Sequence, residues 1–377
     1  VLGEEDRIVD RSRRGRGGGG RGDQEREGGR EAAKHAASVV SPGSGVNAGA
    51  VPRYAPSPMP SRPSTDTERF AARIVGRRAL HYADGACDED DRPAFVRAAS
   101  GVIQVGDDLC VLQDDASFIA VVGRDGSVRA ISLPRGPGGR RRFEEALGNR
   151  LDKLDLECGV ALPAAGGDVL LAFGSGSLPV REVAVLVDPR LATDAPVVDA
   201  TRFYASFREA LGIARATVNV EGCVIAGDRL RVFQRGPRAA SVDFELAALE
   251  AWVRRGASGD APRAVATRSY ELGRAGHVGY GFSDAAALPD GRVVFLAVAE
   301  DTDDPVLDGA VLGSIVGVID GDRVSTTPLL SSNDEFVMDK AEGIAVDPAR
   351  PGRLWVTLDP DDPERPADLC EVEVLGL

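Results

Sequence analysis

Four acidic residues recur at a regular spacing. Glu157, Glu221, Asp284 and Glu342 each open a short apolar run, roughly 60 residues after the one before. Carboxylates gathered in one place repel, so each needs a cation, a basic neighbour or a raised pKa. Three chemistries are open to such a group. It could hold a hard cation such as Ca²⁺, which takes about six to eight oxygen ligands. Two of its members could serve as general acid and base, with Lys153, Arg235 and Lys340 holding an anionic group. It could instead recognise a basic ligand. A purely structural role competes with all three, in which the carboxylates accept backbone N–H bonds from neighbouring units or pair with Lys153 and Lys340.

Positioning these residues requires a repeated unit. A fifth copy of the pattern begins at Ser100-Gly101-Val102-Ile103. In every copy a turn rich in Gly, Asp or Pro leads to a second apolar run. These are Leu109–Leu112, Val169–Phe173, Leu230–Phe233, Val293–Leu296 and Leu354–Val356. Alternating segments follow at Phe118–Val122, Val128–Leu133, Glu182–Val187, Leu312–Ile319 and Arg323–Leu329. Short apolar runs between turn residues at this rhythm predict an all-β array. Four strands per unit is the blade of a propeller.

The expected fold is therefore a single β-propeller over residues 66–377, with five four-stranded blades, or six if a long insertion hides one. The last unit runs out of chain after Leu369–Val374. Ile74–Tyr82 is expected to supply its missing outer strand and close the ring, leaving no long edge exposed. Arg140–Leu151 and Phe244–Arg255 read as short helical excursions, the second with a stripe at Leu246, Leu249 and Val253.

That geometry orders the candidates further. Successive strands are antiparallel, so first-strand starts and second-strand ends share one face. The rim should collect Asp114, Asp115, Ser175, Arg235, Glu300, Asp301, Asp359, Asp361 and Asp362 around the four acids. Approach loops add Lys153, Lys340 and His277. Asp152-Lys153 and Asp339-Lys340 occupy equivalent places before a glutamate and read as a repeated ion pair. His277, in Gly276-His277-Val278-Gly279-Tyr280-Gly281, is an acid/base candidate, against a solvent-facing or packing role. Gly174-Ser175-Gly176-Ser177 with Arg181 reads as a tight turn or an anion cradle. It is no nucleotide-binding phosphate loop, since no Lys-Ser/Thr follows. Nor is there a G-x-S-x-G elbow, which disfavours a serine hydrolase.

Composition narrows the partners. Residues 1–65 carry 11 Lys+Arg against 8 Asp+Glu, while the remainder carries 34 against 51. A net charge of −17 on the second part argues against nucleic acid, since phosphates would be repelled, and none is expected as its partner. It leaves a small molecule or a protein, and a monomer is expected. Arg11–Arg30 is little but Arg, Gly and Glu, and Val51–Pro63 holds five prolines. Such a stretch buries too little apolar surface to order itself and is expected to be a disordered tail. Met59 opens a tidier sequence, and translation is expected to start at or near it. Five cysteines without a CxxC pair read as reduced thiols, four of them within apolar runs. Three histidines are too few for a His-rich zinc site. Without an apolar run of membrane-spanning length or an evident signal peptide, the expected compartment is the bacterial cytoplasm.

Asp339-Lys340-Ala341-Glu342-Gly343-Ile344-Ala345-Val346-Asp347, followed by Leu354-Trp355-Val356, resembles the blade signature of phytase-like (esterase-like) propellers. Leu154-Asp155-Leu156-Glu157 and Phe173-Gly174-Ser175-Gly176-Ser177 resemble segments of their uncharacterised bacterial relatives. The resemblance implies a propeller and, beside a binding module, a metal-assisted phosphoesterase or esterase of Ca²⁺ type.

Overall fold

The computed structural model describes residues 70–236, 238–302 and 309–377. The expectations for residues 1–65, including a start near Met59, lie outside this range. The first strand, β1 (Ala71–Ala79), precedes four repeats of a four-stranded unit. The first unit is β2 (Ala99–Val105), β3 (Asp108–Gln113), β4 (Phe118–Val122) and β5 (Val128–Ser132). The second is β6 (Leu156–Leu162), β7 (Val169–Gly174), β8 (Val183–Val187) and β9 (Val197–Asp199), followed by helix α1 (Thr201–Leu211). The third is β10 (Val220–Ala226), β11 (Arg229–Gln234), β12 (Ala240–Glu245), helix α2 (Leu246–Arg254) and β13 (Ala264–Ser269). A small hairpin, β14 (Arg274–Ala275) and β15 (Val278–Gly279), leads into the fourth. That unit is β16 (Gly281–Ala287), β17 (Val293–Asp301), β18 (Ala310–Asp320) and β19 (Arg323–Leu330).

The last three strands, β20 (Lys340–Val346), β21 (Arg353–Asp359) and β22 (Asp368–Leu375), make only three-quarters of a unit. Strand β1 completes it, running antiparallel to β22 from Ala71 opposite Leu375 to Ala79 opposite Asp368. Two parallel pairs, Ala72–Leu329 and Arg73–Leu330, also tie β1 to β19. The first and last parts of the described chain are thus locked in one sheet, which leaves β22 no open edge.

Every unit is an antiparallel meander in sequence order. First strands pack on one another in turn, β2 on β6, β6 on β10, β10 on β16, β16 on β20 and β20 back on β2. This circle is what makes the molecule propeller-like. The apolar faces explain it. Successive sheets share one buried cluster each, such as Ile119 and Val121 with Leu170 and Val185. Phe233 meets Phe282 and Phe295 in the same way, and Leu296 and Val316 meet Ile344 and Val356. Each middle sheet is covered on both faces, so a run such as Phe118–Val122 is buried throughout.

Helix α1 escapes the sequence reading, although Phe203, Tyr204 and Phe207 form a helical stripe. Asp199 accepts the Thr201 N–H at its start, and Gly212, at φ 64°, ends it. The stripe packs with Trp252 of α2 on the second and third sheets. The helix expected over Arg140–Leu151 does not form. Two short 3₁₀ turns, Glu145–Leu147 and Arg150–Asp152, replace it, because Gly148 takes positive φ and only Phe143 is buried. Cys110, Cys158, Cys223 and Cys370 are buried free thiols. Among the described residues no helix is long and apolar enough to cross a membrane.

Candidate functional site

The innermost strands share one irregularity. In each, a β-bulge inserts one unpaired residue near its start: Ser100 in β2, Glu157 in β6, Glu221 in β10, Ser283 in β16 and Glu342 in β20. A bulge re-aims its extra side chain out of the normal alternation. Five bulges in five neighbouring strands therefore aim five equivalent side chains. The two serines turn back to the protein. Ser100 Oγ donates to the Leu156 carbonyl at 2.5 Å, and Ser283 Oγ to the Ala341 carbonyl at 2.6 Å. The three glutamates converge instead, with carboxylate oxygens within 4.8 Å of one another.

Asp284 does not join them. It sits one residue past the bulge, in the place held by Gly101, Gly222 and Gly343 in other strands. There the inner strands touch. A Cβ on Gly343 would lie 2.5 Å from the Val102 nitrogen, and one on Gly222 would lie 3.0 Å from the Ala285 nitrogen. Asp284 accepts the Ala285 N–H at 2.7 Å and the Ile344 N–H at 2.8 Å, the second from the neighbouring sheet. Burial pushes its carboxyl well above the ordinary range despite these donors.

Glu221 is held on one side. Its Oε1 accepts from Asn219 Nδ2 at 2.6 Å and Arg235 Nη1 at 3.0 Å, while its Oε2 is buried without a partner. Glu342 lies 3.1 Å from Lys340 Nζ, and Lys340 and Arg235 both reach Glu300, at 3.8 and 3.4 Å. Glu157 is 7% exposed and has no hydrogen-bond or ion-pair partner among the described residues. Burial, then the charge of Glu221, pushes the Glu157 carboxyl well above the ordinary range. Burial likewise lifts Glu221 to about 8 and raises Glu342.

A second acidic group adjoins the first. Asp114, Asp155 and Glu157 bring carboxylate oxygens within 4.8 Å of one another. Lys153 fills this group with its own charge. Its Nζ lies 2.6 Å from Asp114, 2.9 Å from Asp155 and 3.3 Å from Asp115. Burial opposes the ammonium, yet these carboxylates hold its pKa well above the ordinary value. On the far side of Asp155 lie Ser175 Oγ at 2.5 Å and Arg181 Nη1 at 2.8 Å, with Ser177 Oγ bonded to both. The Gly-Ser turn is therefore a buried support for Asp155. Asp155 and Asn219 escaped the sequence reading as site residues. Each stands two positions before a bulge glutamate, as Lys340 does, and that spacing was the available signal.

Glu157, Glu221, Lys153, Arg235, Glu300 and Asp114 line one cavity of about 790 Å³. His277 lies at its edge in the β14–β15 turn, largely exposed and 3.3 Å from Asp301. Asp359 stands opposite Lys340 across the β20–β21 pair and opens with Asp115 on a neighbouring cavity of about 330 Å³. Burial pushes the Asp359 carboxyl well above the ordinary range.

A circle of four-stranded sheets with a polar cavity over its inner strands defines a β-propeller-like protein. The chain belongs to a family of unknown function, DUF6929, whose profile matches residues 95–374. Similar solved structures include a luciferin-regenerating enzyme, at 8% identity and TM-score 0.42, covering 80% of this chain and 98% of that one. A streptogramin B lyase is 9% identical at TM-score 0.35, covering 79% and 97%. An alpha-L-arabinofuranosidase from Podospora anserina, in complex with cellotriose, is 12% identical at TM-score 0.39, covering 81% and 97%. At these similarities their activities do not transfer. No curated protein matches the chain. The family carries no assigned activity, so the phosphoester chemistry implied by the phytase-like resemblance gains nothing from these comparisons.

Proposed function

We propose that this chain is a five-bladed propeller acting as a binding module, which takes a small polar ligand into the cavity above Glu157, Glu221 and Glu342. The blade count rests on five mutually packed inner strands and on β1 completing the last sheet. One observation carries the binding reading: Glu157 is buried, with no partner among the described residues, at the wall of a cavity of about 790 Å³. A buried carboxylate left unsatisfied is costly and persists where something else satisfies it. The volume suits a small organic molecule. Its mixed lining, with Arg235 and Lys153 set among acids, suits one carrying several polar groups.

A thermal-shift screen of small acids, sugars, phosphate esters and amines tests this. At least one class should raise the melting midpoint with concentration, as binding to the native state alone requires. The shift should vanish in Thr217→Trp, which adds an indole at the cavity lining. A screen in which no class shifts the midpoint, with or without divalent ions, defeats the reading. The enzymatic alternative draws on His277 beside Asp301 at the mouth. Turnover of a generic phosphoester or ester, lost in His277→Ala, would replace the binding module by a hydrolase.

A further inference from the structure

Resting on the binding reading, we propose that Glu157, Glu221 and Glu342 together bind one divalent cation of the Ca²⁺ type, which in turn accepts oxygen atoms of the cavity's ligand.

The first support is geometric. Two oxygens on one Ca²⁺, each about 2.3–2.6 Å from it, stand at most roughly 5 Å apart. The three carboxylates already lie within 4.8 Å of one another. Mg²⁺, at about 2.0–2.1 Å, allows at most roughly 4.2 Å between two oxygens. Neither acidic group includes a His or Cys, so the donors are all hard oxygens and select hard cations.

Unspent acceptor capacity is the second. Asn219 and Arg235 hold one oxygen of Glu221 and leave Oε2 buried and unpartnered. Glu157, more than nine-tenths buried, is satisfied by nothing among the described residues. The equivalent residues Ser100 and Ser283 show that a bulge side chain here can satisfy itself on the next strand. Glutamate at the other three positions forgoes that bond and places three charges together.

Third comes the contrast between the two acidic groups. Where Asp114, Asp155 and Glu157 meet, the chain inserts its own cation, Lys153, which also touches Asp115. Where Glu157, Glu221 and Glu342 meet, Arg235 pairs with Glu221 and Lys340 with Glu342, both also reach Glu300, and neither pairs with Glu157 among the described residues. A mobile ion completes the second group as the ammonium completes the first. Three carboxylates leave about three to five of the six to eight Ca²⁺ positions open to water and ligand. The ligand class is therefore an oxygen donor such as a carboxylate, a phosphate or a diol.

Titrating Ca²⁺ into the chelator-stripped full chain, by calorimetry and by terbium luminescence, decides it. One ion per chain is expected. Glu157→Gln and Glu342→Gln should each weaken binding on the order of tenfold or more, since affinity follows ligand charge count. Asp290→Asn, exposed beside Arg292 in the β16–β17 turn, should leave it unchanged. Circular dichroism shows whether each variant is folded, and a variant that is not is replaced by Glu221→Gln. No ion bound at about 1 mM, the weak end of protein Ca²⁺ sites, or unchanged affinity in a folded Glu157→Gln, overturns the inference. If organic ligands still bind the stripped protein and lose binding in Thr217→Trp, the binding module survives and only the cation falls.

Discussion

Ser283 stands in β16 where Glu342 stands in β20, and its hydroxyl donates at 2.6 Å to Ala341, the residue immediately before that glutamate. One bulge position thus serves two purposes. As serine it stitches one sheet to the next, and as glutamate it faces the other glutamates. Asp284, adjacent in sequence, belongs to neither set and clamps the inner strands through Ile344 N–H.

From this clamp follows a stability prediction. Asp284→Ala removes the acceptor of two backbone N–H groups where the strands touch. The loss should be about 1–3 kcal/mol, the range for stranded buried donors. Urea unfolding measures it. Cation affinity per folded molecule should not change, and a fall of tenfold in that affinity would return Asp284 to the binding group.

Lys153 and Glu157 should respond in opposite ways. Lys153→Met leaves Asp114, Asp115 and Asp155 without their ammonium, and breaking such a buried set costs about 3–5 kcal/mol. Glu157→Gln relieves a carboxylate surrounded by other acids and should raise the midpoint in chelator at pH 8. Equal destabilisation by both would mean that Glu157 has a structural partner.

The pH profile should run against the usual trend for acids. Glu221 rises to about 8 and Asp114 to about 6 in the folded state, both through burial. Their unfolded values are about 4. A folded pKa above the unfolded one gives stability that is complete below about 4 and lost as pH climbs through the folded value. The melting midpoint in chelator should therefore fall between about pH 4 and 8. Midpoints at constant ionic strength test this, and a rise across that window refutes it.

Closure by β1 can be weakened at a point. Ile74 is 6% exposed, pairs across from Val372 and packs among Val356 and Leu358. Ile74→Ala should cost about 2–5 kcal/mol. Deleting residues through Ala79 should also uncover β22 as an edge and promote association. Light scattering and denaturation of both variants measure this, and a monomeric deletion of unchanged stability would separate β1 from the fold.

Most strands were legible because their signal is local. Apolar runs between turn residues at a steady interval mark the first and second strands of every unit, and the closing strand was expected at Ile74–Tyr82 against Ala71–Ala79 observed. Helix α1 and strands β9, β12 and β13 went unread. Strand β13 is mostly exposed, and β9 has only three residues. The sequence pattern offers Lys153 as a partner for glutamate, but it pairs with three aspartates. Two of those, Asp114 and Asp115, come from a loop of the neighbouring unit.

By itself the amino-acid order determined that a strand module recurs, that acids gather near its starts, and that the second part of the chain is strongly acidic. These follow from hydrophobic periodicity and charge, which are properties of neighbouring residues. Only the tertiary structure decided that Ser283, and not Asp284, is the counterpart of Glu342. A bulge shifts the register by one residue, and the closeness of the inner strands then determines which side chain has room to face the cavity. That choice is made by contacts between strands roughly 60 residues apart, which no local pattern records.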